Sequence, residues 1–477
     1  MMDSPFQTLL NDLLSVIFRY AAEYTVDKVP LSCVCAHWRA CALADAGWWA
    51  DLYSAPDRNI SLSLFELSLS RSKDAPLSIG LRSGDLGCLL LLAPHAQRIR
   101  RLALWSPLVG PPPLLAFLRP GSDLPLLENI MVMNNNKLIH TPSLGINAPK
   151  LDTLFLKGVV VHDWESMELP ALRNFIYMPS IDQGSGVPVA RILARLLTRY
   201  PLLTDIVIQA PSLQIEFGGA LAEISDEFNY PLEVLDLWLC CSGCTMRTLR
   251  PFSRVLTRLR RLFVVATNLP PGSSLMLHDE SAAQRRTLVM TLLSGGHSYT
   301  EMVIASDTRS TGIQLTNRDG SRSVTFKVAQ VLVLLDWTVE WRSLQLEKLT
   351  LPIGFWNKFT VMAKRHPIME SVLHLSVYAD TWADLSSSLL VLECSSIRSF
   401  EISFRHDDDD DDDDDLRMVF RLQPILNVLN NISFLSQSVQ LLLPPSDSQE
   451  MDEMLETRLL RALHEKGEKR WTVVWKV

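Results

Sequence analysis

Leu151-Asp152-Thr153-Leu154-Phe155-Leu156 is the stretch whose reading decides the fold. In an extended chain Leu154 and Leu156 fall on the same face of a short strand, and Leu151 packs in the turn leading into it. Such a unit cannot bury its apolar row alone, and an equivalent neighbour has to cover it.

The same spacing recurs on both sides of this stretch. Upstream it appears as Ile99/Leu102/Leu104 and Leu127/Ile130/Val132. Downstream it appears as Leu172/Phe175/Tyr177, Leu203/Ile206/Ile208, Leu232/Leu235/Leu237, Leu259/Leu262/Val264, Tyr299/Met302/Ile304, Leu346/Leu349/Leu351 and Ile397/Phe400/Ile402. Two further pairs, Leu373/Leu375 and Val439/Leu441, match only in their last two positions, because Glu370 and Ser436 stand where the first apolar residue belongs. The middle residue returns at steps of 21 to 47 residues, several of them in or just above the ~20–29 residues of leucine-rich repeats. Stacked units of this type predict a curved solenoid with a parallel sheet on its concave side.

Helical patterns fill several of the intervals. Val189–Tyr200 sets Ile192, Leu193, Leu196 and Leu197 on one face and Arg191, Arg195 and Arg199 on another, and Pro201 stops it. Leu249–Thr257 and Arg285–Leu293 repeat the idea. Asn135 and Cys240 occupy the position after the strand where such repeats often carry Asn or Cys. The tail from Ser446 holds an amphipathic pattern, Met451, Met454, Leu455, Leu459 and Leu460, followed by the strand-like Trp471–Val477. It reads as the terminal cap that covers the last apolar face.

The N-terminal fifty residues are of another kind. Leu9, Leu10, Leu13, Leu14, Ile17 and Phe18 recur at helical spacing, with Asn11, Asp12 and Ser15 on the other side. A second stripe follows in Leu31, Val34, Cys35, Trp38 and Ala42, and Trp48-Trp49 closes the segment. A unit of this size buries too little surface to stand alone, so its apolar faces are shared with a neighbouring domain, a partner, or both.

Asp12-Leu13-Leu14-x-x-Ile17-Phe18, then Leu31-x-x-Val34-Cys35-x-x-Trp38-Arg39, then Gly47-Trp48-Trp49, resembles the F-box, most closely the fungal form followed by irregular leucine-rich repeats. The resemblance covers about fifty residues. It implies an all-α module that docks on the Skp-type adaptor of cullin-RING ubiquitin ligases. The matching positions, Leu9, Leu13, Leu14, Ile17, Phe18, Leu31, Val34 and Trp38, are the expected adaptor-binding residues. In one respect the chain departs from that family: it usually starts with Leu-Pro, and here Leu9 is followed by Leu10. The proline that presets a first helical turn is missing.

The expected architecture is therefore α/β, with F-box helices over 1–55 and a connecting segment with a strand over 56–97. An irregular leucine-rich-repeat solenoid over 98–445 and a helix-plus-strand cap over 446–477 complete it. Within the connecting region Asp51–Asn59 reads as a turn-rich boundary and Ser61–Ser70 as either an alternating strand or a short amphipathic helix. Ala75–Leu81 reads as a strand.

Composition narrows the function classes. The 477 residues are 47% hydrophobic, ample for a core, and no apolar run approaches the ~20 residues that span a bilayer. The N-terminus MMDSPF carries no basic, apolar signal, and the eight cysteines lie mostly inside apolar patterns. The expectation is a soluble protein of the cytoplasm or nucleus. The formal charge is −8, but nine of the acids form the run Asp407–Asp415, and without them the balance is +1. A near-neutral body gives no support for a nucleic-acid surface.

Few residues are candidates for chemistry. Cys33, Cys35, His37 and Cys41 lack the paired spacing of a structural zinc site, and Cys33 and Cys35 face apart on a helix. Cys240, Cys241 and Cys244 have no second pair or neighbouring histidine and read as small residues at a repeat corner. Asp407–Asp415 reads as a self-repelling insertion without the glycines of a calcium loop. No phosphate loop, nucleophile elbow or His-Glu-x-x-His motif appears. The expected function is non-enzymatic and needs no cofactor or metal: a substrate receptor bound to a Skp-type adaptor at one end and to a target protein at the other. The alternative is an interaction scaffold of the same fold that works without a ligase.

Overall fold

The computed structural model describes residues 11–475 apart from 57, 83–85, 107–121, 135–138, 165–166, 180–188, 211–230, 240–258, 267–298, 307–310, 329–344, 365–366, 380–388, 395, 405–424, 426, 430, 435–438, 444–455 and 462–470. The chain is a mixed α/β protein dominated by parallel strands. It divides into two compact units, Met1–Leu239 and Cys240–Val477.

The first unit begins with helices α1 (Asn11–Ala21), α2 (Lys28–Ser32), α3 (Ala36–Ala44) and α4 (Ala46–Ala50). Its strands are β1 (Asp51–Tyr53), β2 (Leu77–Arg82), β3 (Ile99–Ser106), β4 (Asn129–Asn134), β5 (Ile139–Ser143), β6 (Thr153–Lys157), β7 (Val159–Asp163), β8 (Asn174–Met178), β9 (Asp205–Ala210) and β10 (Val234–Leu239). Eight of them pair in parallel, in the order β1-β2-β3-β4-β6-β8-β9-β10. Strands β5 and β7 form a separate parallel pair.

The register explains why the six-residue unit is legible. Leu102, Ile130, Leu154, Phe175, Ile206 and Leu235 are neighbours in one row, and Leu104, Val132, Leu156, Tyr177, Ile208 and Leu237 in the next. All twelve are buried, as are the leading residues Ile99, Leu127, Leu151, Leu172, Leu203 and Leu232. Burying a side chain of this size contributes about 1.5–3 kcal/mol, and each row is completed only by the strand beside it. Backbone N–H groups of Glu128, Asp152, Arg173, Thr204 and Glu233 each donate to the carbonyl one strand back, at 2.8–2.9 Å. The hydrogen-bond ladder thus begins before the strands do.

Two expectations near the N-terminus change. Asp51–Tyr53 is the first strand of the ladder and not part of a boundary, because Leu52 is fully buried beside Ile79. The ambiguous Ser61–Ser70 stretch is a helix, α5 (Leu62–Arg71), with Ser61 accepting from the N–H of Leu64 as its cap. Helix α6 (Leu86–Leu92) follows, and α7 (Val189–Arg199) buries the predicted face Ile192, Leu193, Leu196 and Leu197.

The second unit contains β11 (Arg261–Ala266), β12 (Tyr299–Ser306), β13 (Thr311–Asn317), β14 (Ser323–Val328), β15 (Lys348–Pro352), α8 (Trp356–Ala363), β16 (His374–Ala379), β17 (Leu392–Cys394), β18 (Ser399–Phe404), β19 (Ile432–Phe434), β20 (Val439–Leu443) and β21 (Trp471–Trp475). Nine strands pair in the order β11-β14-β13-β12-β15-β16-β18-β20-β21. Only the pairings of β13 are antiparallel. The long step from Met302 to Leu349 therefore holds two strands that the six-residue spacing does not reveal. In an antiparallel strand the row is kept by alternation alone: Leu315 lies between Met302 and Val324, and all three are buried.

Two register assignments are corrected. The row that contains Leu349 and Phe400 passes through Leu375, so the triplet is Val372/Leu375/Val377, all buried, and Leu373 sits two places earlier and is half-buried. The same row passes through Leu441, not Val439. The expected tail strand pairs in parallel with β20, and residues 456–461 are helical with Leu459 buried. The expected helices 249–257 and 285–293, and the positions Asn135, Cys240, Met451, Met454 and Leu455, lie outside the described residues.

Candidate docking surface

Helix α1 is apolar on two opposite sides, and this sets the site. At 100° per residue Leu14, Phe18 and Ala22 share one face. They are buried against Trp38, Cys41, Ala42, Trp48 and Trp49 in a single core. Phe18 meets the Trp38 ring edge-on at 5.4 Å and stacks on Trp48 at 4.9 Å. The indole N–H of Trp48 donates to the Phe18 carbonyl at 3.2 Å, and that of Trp49 to the Ala42 carbonyl at 2.6 Å. Both tryptophans have a polar partner where they are buried, so they hold the module together at little polar cost.

On the opposite face Leu13, Val16 and Tyr20 are 50%, 49% and 86% exposed. Ile17 lies at the edge of this stripe and is half-buried. The spacing 13, 16, 17, 20 is itself helical, so the stripe is a continuous exposed apolar band along the helix.

The eight residues expected to touch an adaptor are therefore divided. Leu14, Phe18 and Trp38 belong to the internal core and are buried. Leu13 and Val34 are exposed, Ile17 and Leu31 are half-buried, and Leu9 lies outside the described residues. Val16 and Tyr20, which are not in the expected set, are exposed on the same side as Leu13. The signal was present in the sequence as the second stripe of α1, hidden because the first stripe is stronger.

Val34 is exposed because the second amphipathic pattern is not one helix. It breaks after Ser32, and Cys35 becomes the cap of α3, with extended backbone (φ −155, ψ 172) and its Sγ accepting from the Trp38 N–H. Val34 falls in the turn and points away from the core at 58% exposure. The same break places the cysteines of this stretch in different surroundings. Cys33 is exposed, Cys35 caps a helix, and Cys41 donates its thiol to Asn11 Oδ1 at 3.0 Å with His37 Nε2 at 4.0 Å. Among the described residues no group of three or more His, Cys, Asp and Glu side chains is placed to hold a metal ion. Cys240, Cys241, Cys244 and the Asp407–Asp415 run lie outside the described residues.

Lys28 joins this module to the strands. Only 1% of it is exposed, and its ammonium donates to the carbonyls of Trp48 and Asp51, at the end of α4 and the start of β1. The same group lies over the Trp48 ring at 5.6 Å. Burial pushes its pKa down to about 8, against the opposing pull of Asp51 and Asp45. The Tyr53 N–H donates to Thr25 Oγ1 at 2.8 Å, a second tie between the helices and β1.

Among the described residues no helix is long and apolar enough to cross a membrane. No protein-family model matches the chain, and no curated protein matches it either.

Proposed function

We propose that this chain is the substrate receptor of an SCF-type cullin-RING ubiquitin ligase, with residues 11–50 acting as an F-box on a Skp-type adaptor and the strand ladder acting as a leucine-rich-repeat solenoid that holds the target. The observation that carries the reading is the second apolar face of α1. A small module that has already buried Leu14, Phe18, Trp38, Trp48 and Trp49 has no internal use for Leu13, Val16 and Tyr20 in water. An adaptor is the occupant that the F-box resemblance supplies. The chain catalyses nothing in this reading. It raises the effective concentration of the target at the ligase.

The test is co-expression with a Skp-type adaptor followed by size-exclusion chromatography. A stable complex is expected, and Leu13→Asp combined with Tyr20→Asp abolishes it while leaving the circular dichroism spectrum unchanged. Failure of the unaltered chain to form any complex overturns the ligase reading. Leu10, in the place of the family's proline, favours the second reading, a scaffold of the same fold that acts without the adaptor. In that case a Leu10→Pro variant gains adaptor binding that the unaltered chain lacks.

A further inference from the structure

The outward face of the first unit's ladder has a polar row, Asp51, Ser78, Arg101, Asn129, Thr153, Asn174 and Asp205, and beside it two rows that are mostly apolar. Tyr53, Gly80, Ala103, Met131, Phe155, Ile176 and Val207 are neighbours in one outward row, which ends at Asp236. Arg82, Trp105, Met133, Lys157 and Met178 are neighbours in the next. Met131, Met133, Phe155, Ile176 and Met178 alternate with buried residues along β4, β6 and β8 and are themselves only half-buried, so no further layer seals them. At one end the rings of Tyr53 and Trp105 close over Gly80, where an added Cβ would lie 2.5 Å from Tyr53 and 2.7 Å from Trp105.

Charge at the margin is partly paired, with Arg101 exposed in the polar row and without a carboxylate at ion-pair distance among the described residues. Arg100 pairs with Glu128 at 2.7 Å, Arg173 with Asp152 at 3.5 Å, and Asn174 donates to the same Asp152 at 3.3 Å. Within the apolar rows Arg82 donates to the Pro56 carbonyl at 2.8 Å. Lys157 differs. It stands between Met133 and Met178, half-buried, and among the described residues it has no carboxylate at ion-pair distance.

We infer that this face docks a protein segment carrying apolar side chains on both sides of one carboxylate, with Lys157 as the partner of that carboxylate. Met131, Met133 and Met178 can adapt to varied apolar side chains because thioethers are flexible and polarisable. A charge pair set among apolar groups discriminates more than one in open water. Lys157 and Arg101 are too few for a phosphate backbone or an anionic bilayer, which need several cations. Seven strands about 4.8 Å apart span ~29 Å, the reach of about nine extended residues. The inference rests on the receptor reading for the bound segment's role as a target, while the surface itself does not depend on it.

The test is selection of random peptides of about twelve residues, displayed on phage, against the immobilised full chain, a length that exceeds the span above. Enrichment of an apolar–acidic–apolar pattern is expected. Lys157→Glu then switches the preferred central residue from acidic to basic, and the original peptides lose about tenfold or more in affinity. Phe155→Ser removes binding of both sets, with unchanged circular dichroism as the folding check. No enrichment, enrichment without a central acid, or peptides indifferent to both substitutions overturns the inference. Leu13→Asp/Tyr20→Asp leaves the selection unchanged, and failure of the unaltered chain to bind the adaptor while it keeps its peptide preference rejects the ligase reading and keeps this one.

Discussion

The two units share an inward pattern and differ outward. In the first, Met131, Phe155, Ile176 and Val207 follow one another across the outward row. In the second, the corresponding row runs Phe263, Thr325, Gln314, Val303, Thr350, Ser376, Glu401 and Leu442, polar except at Phe263, Val303 and Leu442. Inward, both units present the same sequence of buried Leu, Ile, Val, Met and Phe. The inward row is held by burial and varies little in character. The outward row is free of that demand, so its chemistry records what the face is used for.

The comparison can be broken most directly at the two glycines that have positive φ among the described residues, one in each unit. Gly158 has φ +68, and a Cβ there would lie 2.0 Å from the Asn134 carbonyl oxygen, with Asn134 itself buried. Neither atom can yield, since Gly158 N–H is already tied to the Met178 carbonyl at 2.8 Å. Gly158→Ala is expected to cost about 3 kcal/mol, read as a lowered urea midpoint and faster amide exchange in β4, β6 and β8.

A smaller effect separates the units by pH. The Lys28 pKa of about 8 in the folded chain lies below the ~10.4 of a free lysine. Between those values the unfolded chain binds the extra proton, so stability rises with pH across this window and is flat from this cause below it. The gain is on the order of 2–3 kcal/mol by pH 10.4. Lys28→Met is expected to remove the rise, in denaturation curves measured at pH 7.5 and 10. In the second unit the buried cation is Arg322, 3% exposed and over the Tyr299 ring at 5.8 Å, and a guanidinium does not lose its proton in this range.

The smallest effect sharpens the contrast between the glycines. Gly320 has φ +70 but nothing within 4 Å of an added Cβ, in the turn between β13 and β14. Gly320→Ala pays only the left-handed backbone penalty, about 1 kcal/mol. A cost equal to that of Gly158→Ala would show that backbone strain, and not the approach of Asn134, governs both.

Much of the ladder was legible because its signal is local. Leu151/Leu154/Leu156 and its equivalents predict strand, face and approximate position, and the register confirms ten such triplets in place. The spacing failed where two choices two residues apart fit equally: Leu373/Leu375 against Leu375/Val377, and Val439/Leu441 against Leu441/Leu443. A shift of two keeps the same face, so alternation alone cannot choose. The pairing with Leu349 and Phe400 does. Strands β13 and β14 escaped because an antiparallel insertion needs no leading apolar residue.

In the N-terminal module the sequence determined that α1 is an apolar helix and that three tryptophans close a small core. It did not determine which of Leu13 and Leu14 is inside. Both faces of α1 are apolar, and the hydrophobic effect has no direction of its own. Only packing against Trp38, Trp48 and Trp49 turned Leu14 and Phe18 inward and left Leu13, Val16 and Tyr20 to solvent. The tertiary structure likewise sent the Lys28 ammonium to the carbonyls of Trp48 and Asp51. That contact joins residues more than twenty positions apart, and no local pattern specifies it.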